Sequence, residues 1–242
     1  MARFPSCPEN GARVDPESPL TKSRSIMLVA LLGAVIAFAY FGIHPGSIKT
    51  TPPTITKQPV AFASHTFGPA APPPPDMPPL NAGEAAECDT NFVSYASVAG
   101  RPQPIDATHE TVTITHVDVT LELHISIWVP NDASQHIIDH EEGHRQISEH
   151  YYETADQIAE RIAASYTGKQ VVISGNDLNA EFNKLLQQMS MDITDEYDKE
   201  LNPEPTQLRY DAITNHALSD VVAADAAAQV LKETTLASSQ PP

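Results

Sequence analysis

The sequence HEEGH, residues 140–144, lies early in a segment, residues 134–166, whose pattern predicts one long helix. Residues four apart lie one above the other on a helix, so His140 and His144 can bind the same metal ion. Glu141, which follows the first histidine, can act as general base toward a metal-bound water. The spacing therefore predicts a zinc site with two histidine ligands and a catalytic glutamate.

The apolar stripe of this predicted helix contains the motif. At 100° per residue, the following positions all lie within about 60° of His144: Ile137, His140, Glu141, Ile147, Tyr151, Ala155, Ile158, Ala159, Ile162 and Tyr166. Buried imidazoles beside a carboxylate need partners that offset desolvation, and a metal ion supplies them. The alternative is a pair of core histidines hydrogen-bonded to carbonyl groups, with Glu141 in an ion pair.

A catalytic zinc needs a third protein ligand and an open fourth position. His150 has the offset at which metzincins carry their last histidine. However, Ile147 continues the apolar stripe where that fold needs a glycine, and His150 points about 120° away from His144 on a straight helix. We therefore expect His136 and His150 on the surface and the third ligand on another element.

Three segments precede the predicted domain. Residues 1–25 form a polar, basic tail, and residues 26–43 form an uncharged apolar run long enough to span a bilayer. The basic tail predicts a cytoplasmic N-terminus and a single-pass inner-membrane anchor, with the domain in the periplasm. Secretion after cleavage near Ala39 is the alternative. The proline-rich residues 44–82 predict an extended linker that forms no core.

The predicted domain spans residues 83–236, followed by a disordered tail at 237–242. It contains 27 of the 31 acidic residues and a formal charge near −19. Such a surface disfavours nucleic acid and anionic lipid, and it fits either solubility or a preference for basic substrates. Cys7 and Cys88 flank the predicted membrane span, so we expect no intramolecular disulfide.

Strand signals lie at residues 91–98 and 111–129. From Val117 onward the strand alternates, with apolar residues on one face and Trp128 among the residues of the other, as in an antiparallel strand buried on one side. A change of phase near His116 predicts a bulge. Asp132 and Gln135 fit a capping box that starts the motif helix.

A second amphipathic helix is predicted over residues 177–201 and a short strand or connector over residues 171–173. Prolines at 203 and 205 end the second helix, and a C-terminal helical segment extends to residue 230. The predicted class is therefore α+β, with an antiparallel sheet packed on a long HExxH helix, a second long helix and a C-terminal helical segment.

A second motif, Q-x-x-Y-D-x-x-T-x-H, is formed by Gln207, Tyr210, Asp211, Thr214 and His216. Together with HExGH followed by an isoleucine, it makes residues 91–217 resemble an uncharacterised bacterial family described as secreted zinc-dependent proteases. The resemblance implies a zincin-like fold. Ala217 stands where that family usually has glycine.

The resemblance and the need for a third ligand imply that His216 completes the zinc site. Glu181 is the alternative, by analogy with zinc peptidases whose third ligand is a glutamate on a following helix. Tyr210 is expected either to stabilise the oxyanion or to pack as a structural tyrosine. Asp211 is expected to orient His216 or His144, or to cap a turn. Gly143 is expected to let the strand of residues 117–128 approach the helix and receive an extended peptide.

The leading functional expectation is a Zn²⁺-dependent metallopeptidase that hydrolyses peptide bonds by Glu141-assisted attack of a zinc-bound water. Its partners would be a peptide or protein substrate and, through residues 26–43, the inner membrane. Hydrolysis of a peptidoglycan amide uses the same chemistry. The rival class is a non-catalytic envelope binding protein with a structural or vestigial zinc site.

Overall fold

The computed structural model describes residues 48–68, 73–80 and 84–238. Within these ranges the strands are β1 (Thr54–Lys57), β2 (Ala61–Phe67), β3 (Glu87–Pro104), β4 (His109–Pro130) and β5 (Gln170–Ser174). The helices are α1 (Gln135–Glu153), α2 (Ala155–Tyr166), α3 (Leu178–Glu200), α4 (Glu204–Thr214) and α5 (Ala223–Ser238). The result is an α+β fold with a five-stranded mixed sheet.

The sheet is built around β4, which pairs with each of the other four described strands. Its alternating apolar residues are buried as predicted, because one face packs against helices. β3 and β4 form a long antiparallel hairpin, whose register shifts where Ala99 faces His116 and Gly100 faces Ile114. This shift is the bulge that the change of phase predicted. Trp128 differs from the prediction, since it is buried and stacks on the ring of His65 in β2 at 4.1 Å.

The prediction of an extended linker over residues 44–82 is wrong for β1 and β2. Both strands lie in this segment and pair with β4 in parallel, with Thr54 opposite Asp118 and Ala61 opposite His124. The edge of β4 opposite β3 would otherwise leave its backbone groups without strand partners. The Tyr152 hydroxyl ties this edge to α1, since it donates to the carbonyls of Gln58 and Leu121 at 2.9 Å. The sheet is therefore mixed rather than antiparallel, and folded structure begins before residue 83.

The helix predicted over residues 134–166 is interrupted at Thr154, so that α1 and α2 are separate helices. Lys57 in β1 accounts for part of this break. Its ammonium donates to the carbonyl of Glu153 at 2.8 Å and pairs with Asp156 at 3.1 Å. Ser134, rather than Asp132, is the N-cap of α1, because its hydroxyl accepts from the Ile137 amide.

Two apolar clusters position the site. The larger one joins β4 to α2 and α3 and includes Val119, Leu121, Leu123, Ile162, Ile193 and Tyr197. The second joins α1, α4 and α5 and consists of Ile147, Tyr210, Ala223, Ala226, Ala227 and Val230. It fixes α4 against the motif helix. His150 is exposed as expected, whereas His136 is half-buried, with its Nε2 atom 2.8 Å from the Ser219 carbonyl oxygen.

In the part of the chain that the structure describes, no helix has both the length and the hydropathy needed to cross a bilayer. The predicted anchor at 26–43 and the polar tail before it lie outside the described residues, as do residues 239–242 of the tail predicted at 237–242. The prediction of disorder is wrong for residues 237 and 238, which belong to α5.

Candidate metal centre

Three donor groups from two helices converge at one point. His140 and His144 lie one turn apart on α1, and Asp211 reaches them from α4. The two imidazole Nε2 atoms are 3.2 Å apart, and Asp211 Oδ1 lies 2.9 Å from His144 Nε2 and 3.4 Å from His140 Nε2. These residues form a group of ligand atoms that all lie within 4.8 Å of one another, which is a possible metal site.

The donor separations fit a tetrahedral zinc ion. Zn–N and Zn–O bonds of about 2.0–2.1 Å at tetrahedral angles place ligand atoms roughly 3.3 Å apart. The three observed separations, 2.9, 3.2 and 3.4 Å, are close to this value. Asp211 Oδ1 is buried and has no hydrogen-bond partner among the described residues, despite its two imidazole neighbours. A cation between the three donors would satisfy this oxygen.

Burial and mutual contacts shift the pKa values of the three groups. Burial lowers the pKa of His140, which favours the neutral form that binds metals. Burial also opposes the charged form of His144, but its contact with Asp211 raises the pKa of His144 overall. Burial would raise the pKa of Asp211, yet the two imidazoles hold it well below its ordinary value. Asp211 is therefore anionic at neutral pH, as a carboxylate that binds a metal must be.

Glu141 lies beside this group and is 5% exposed. Burial raises its pKa to about 7, and the negative charges of Glu87, Asp211 and Glu84 add to this effect, whereas His144 opposes it. A carboxyl group that titrates near pH 7 can both accept and donate a proton under physiological conditions. Its position next to His140 in sequence and on the wall of the same cleft fits the predicted role of a base.

Gln207, one turn before Asp211 on α4, contacts His144 at two points. Its Oε1 atom lies 2.6 Å from His144 Nδ1, and its Nε2 atom donates to the His144 carbonyl at 3.1 Å. The same amide nitrogen donates to Ser148 Oγ at 2.9 Å. Gln207 belongs to the second motif, which by itself indicates no role for it; its spacing of four from Asp211 on a helix is the signal that places both on one face.

Tyr210 packs against the two histidines on their buried side and does not line the cleft. It is fully buried, and its hydroxyl donates to the His140 carbonyl at 3.0 Å. Its ring stacks on His140 at 5.1 Å and meets His144 edge-on at 4.8 Å. These contacts correspond to the structural alternative for Tyr210 and do not place its hydroxyl toward a substrate.

Gly143 makes room for Tyr210 and not, as predicted, for the strand of residues 117–128. A Cβ atom at position 143 would lie 2.1 Å from the Tyr210 hydroxyl oxygen and 2.5 Å from Cζ. The second variable position of the HExxH motif is therefore a glycine because a buried aromatic ring from α4 occupies the space of its side chain.

His216 lies at the margin of the site, outside the group of three. Its Nδ1 atom is 3.7 Å from Asp211 Oδ1 and 3.6 Å from Glu84 Oε1, and its side chain is 45% exposed. It follows the end of α4, where Asn215, His216 and Ala217 have φ values of 50°, 51° and 61°. Such left-handed backbone is unfavourable for residues with a Cβ. Ala217 thus has the conformation that the glycine of the resembled family would adopt without strain.

Glu181, the alternative third ligand, is not part of the metal group. It lies in the first turn of α3, where its side chain packs near Gly175 and is 3.9 Å from Lys184 Nζ. The third donor in reach of both histidines is instead Asp211, which was expected to orient His216 or His144 or to cap a turn.

A cleft of about 360 Å³ opens beside the metal group. It is lined by Glu84, Ala86, Glu87, Cys88, Thr90, Phe92, His140, Glu141, His144, Pro203, Glu204, Gln207 and Asp211. One wall is the beginning of β3, which pairs only with β4 among the described strands and so has one open edge. β4 itself is paired on both sides and cannot receive a peptide as the sequence analysis expected.

No protein-family model matches the sequence, and neither the curated proteins nor the solved structures contain a significant match. The resemblance to secreted zinc-dependent proteases therefore rests on the two motifs alone.

Proposed function

We propose that this protein is a zincin-like, zinc-dependent peptidase. One observation carries the proposal: three donor atoms from His140, His144 and Asp211 have the mutual spacing of zinc ligands, beside a buried glutamate in a cleft. Two histidines and one carboxylate leave a fourth coordination position without a protein ligand in the group, as catalytic zinc requires. A closed structural site would need a further protein donor within the same distance.

The residues of the cleft support hydrolysis by acid and base catalysis. Zn²⁺ held by these three ligands would supply Lewis acidity and lower the pKa of a water molecule. Glu141 takes a proton from the attacking water and later gives it to the leaving amine, a task suited to a pKa of about 7. Burial of this carboxyl group excludes competing solvent.

An extended peptide is the substrate that the shape of the cleft favours. β3 lines the cleft through Cys88, Thr90 and Phe92, and the described strands include none that pairs with its edge away from β4. A substrate strand can pair with such an edge and present one of its peptide bonds to the metal group. This edge takes the role that we first expected for residues 117–128.

His216 is best assigned to the substrate side of the site. It is exposed and lies outside the group of three, with its Nδ1 atom 3.7 Å from Asp211 Oδ1. A donor at this margin can stabilise negative charge that develops on the scissile carbonyl oxygen. His216→Ala should therefore keep zinc affinity and lower kcat by about 100-fold. Loss of zinc from this variant would instead show that His216 is a ligand, as the motif resemblance implies.

The decisive experiment compares Glu141→Gln with wild type in the full-length protein. Wild type should copurify with about one zinc ion and cleave a fluorogenic peptide or a muropeptide. Glu141→Gln should retain zinc and lose activity by at least about 100-fold. Glu142→Gln is the matched control, since Glu142 faces Arg145 in an ion pair outside the metal group and should leave turnover intact.

Two results would favour the rival class, a binding protein with a structural zinc site. One is a zinc-loaded wild type that cleaves neither substrate. The other is turnover that Glu141→Gln does not change. Cleavage of the muropeptide alone would instead identify a peptidoglycan amide hydrolase.

We further propose that residues 26–43 anchor the enzyme in the inner membrane, with the catalytic domain in the periplasm. Their uncharged apolar length and the basic residues before them support this orientation. Alkaline extraction of membranes, combined with protease protection in spheroplasts, checks it. Recovery of a soluble exported form beginning near residue 40 would show that the segment is a cleaved signal and not an anchor.

A further inference from the structure

The side-chain amide of Gln207 has only one orientation that satisfies its neighbours. One end of the amide lies 3.1 Å from the carbonyl oxygen of His144, which can only accept a hydrogen bond. This end must therefore be the NH₂ group, which also donates to Ser148 Oγ. Ser148 in turn donates to the same His144 carbonyl at 3.1 Å. The carbonyl end, Oε1, consequently faces His144 Nδ1.

This orientation determines which nitrogen of His144 carries a proton. An amide oxygen and an imidazole nitrogen 2.6 Å apart need a hydrogen between them, and the oxygen has none to give. Nδ1 of His144 must therefore be protonated. In the neutral ring the lone pair then resides on Nε2, the atom that faces His140 and Asp211.

We propose that Gln207 is a positioning residue, which fixes the Nδ1–H tautomer of His144 and so keeps its Nε2 lone pair directed into the metal group. The inference rests on the proposed function, because a metal ligand needs that lone pair. A hydrogen bond to the second ring nitrogen is the usual way in which proteins orient a histidine ligand. Here one helical turn of α4 supplies both the orienting group, Gln207, and the anionic ligand, Asp211.

His140 is held differently. Its Nδ1 atom is buried and has no hydrogen-bond partner among the described residues, and the ring instead stacks on Tyr210. Gln207 is thus the group that sets a ligand tautomer at this centre, and its loss should not be compensated at His140. This difference makes His144 the histidine at which the proposal can be tested.

The test uses ¹⁵N-histidine-labelled full-length protein and long-range ¹H–¹⁵N NMR, with His144 assigned by comparison with His144→Asn. Wild type should show a protonated Nδ1 in both the metal-free and the zinc-loaded protein. Gln207→Leu removes the acceptor and should shift the neutral metal-free ring toward the Nε2–H tautomer. Its zinc affinity, measured by chelator competition, should fall about 10-fold to 100-fold.

Two further variants separate positioning from general stability. Gln207→Glu keeps an oxygen acceptor of the same reach and should restore the Nδ1 proton and part of the zinc affinity, because its second oxygen cannot donate to the His144 carbonyl. Gln188→Leu makes the same substitution at a glutamine on α3 that bonds Asp192 at 2.8 Å, and it should leave both measurements unchanged.

Three results would overturn the proposal: an unprotonated Nδ1 in metal-free wild type, an unchanged tautomer in Gln207→Leu, or an equal loss of affinity in Gln207→Glu and Gln207→Leu. The first is decided on wild type alone and does not require that a variant folds. A wild type that holds the Nδ1 proton but binds no zinc would overturn the proposed function while leaving the tautomer assignment standing. The two failures are therefore distinguishable.

Discussion

At the scale of single residues, the contact between Gly143 and Tyr210 joins the motif helix to α4. The tyrosine ring lies where a side chain at position 143 would extend, and its hydroxyl bonds the carbonyl of His140. The glycine of HEEGH is therefore a packing requirement at the centre of the metal group. A change here should disturb both stability and the geometry of the two histidines.

Gly143→Ala is predicted to lower the free energy of unfolding by about 3 kcal/mol, because its Cβ would overlap a buried ring that cannot move away. Urea denaturation checks the size of the loss. Gly175→Ala is the control, since its Cβ would meet only the flexible Glu181 side chain at 3.2 Å. In a Tyr210→Leu background the cost of Gly143→Ala should shrink, and a cost that stays the same would contradict the assigned cause.

Glu87 provides a pH-dependent prediction for the metal-free protein. Burial and the neighbouring Glu84 raise the pKa of Glu87 from 4.5 to about 6, so the folded state binds its proton more tightly than the unfolded state. The contribution of this proton to the stability of the folded state is complete below about pH 4.5 and is lost as the pH rises through about 6. Glu87→Gln should flatten this part of the stability curve and give a more stable protein at pH 7. Denaturation of both proteins with a chelator present, between pH 4 and 8, measures this pH dependence. The same slope of stability against pH in wild type and Glu87→Gln would contradict the prediction.

The metal ligands illustrate what the sequence can and cannot predict at this scale. His140 and His144 were predictable because their spacing, the helix period and the apolar stripe agree. Asp211 was expected to orient a histidine because histidine is the more familiar zinc donor and His216 lies nearby in the motif, whereas the structure places Asp211 in the candidate metal group. Gln207, Tyr210 and Asp211 share a face of α4, whereas His216 follows its last residue, Thr214. Only the packing of α4 on α1 determines whether Asp211 or His216 lies next to the two histidines.

At the scale of elements, β1 and β2 are the strands that could not be predicted from composition. The segments TITK and AFASHTF are short and lie among prolines, which together indicate a linker. Their pairing depends on β4, more than fifty residues later, and no local pattern encodes that distance. The β4 strand and α3 were predictable, because their apolar residues repeat with the period of a strand and of a helix.

A chain that begins at residue 83 is predicted to be unstable. It would lack β1 and β2 and leave one edge of β4 unpaired over residues 118–121 and 124–130. Long exposed edges of this kind promote aggregation. A chain that begins at residue 48 should retain the thermal midpoint of the full-length protein. Circular dichroism and size-exclusion chromatography compare the two, and a monomeric, equally stable shorter chain would show that β1 and β2 are dispensable.

At the scale of the whole molecule, a metal ion at this site would link α1 to α4. The two helices also meet through Tyr210, Ile147, the hydrogen bonds of Gln207 and the hydrogen bond between Tyr151 and Thr206. With Asp211 as the proposed ligand from α4, binding energy at the site would add directly to the stability of the folded state. Removal of the metal should therefore lower the stability of the whole domain.

Saturating zinc, at about 100 times its Kd, is predicted to stabilise the protein by about 2.7 kcal/mol. Contact with Asp211 raises the pKa of His144, so protons compete with the ion, and affinity should fall as the pH is lowered. Differential scanning fluorimetry with zinc and with chelator at several pH values provides the measurement. Asp211→Asn should show a much smaller shift, and a wild-type shift that grows at acid pH would contradict the ligand set.

The pairing of β1, β2, β3 and β5 with a single central strand has a consequence for how the chain acquires its structure. Ribosomes release β1 and β2 long before β4, so these two strands have no sheet to join until residue 130 has emerged. The β3–β4 hairpin is local and can form first, after which the earlier strands add to its far side. β1 and β2 are therefore synthesised before the strand that they pair with, and until then their backbone groups are without sheet partners.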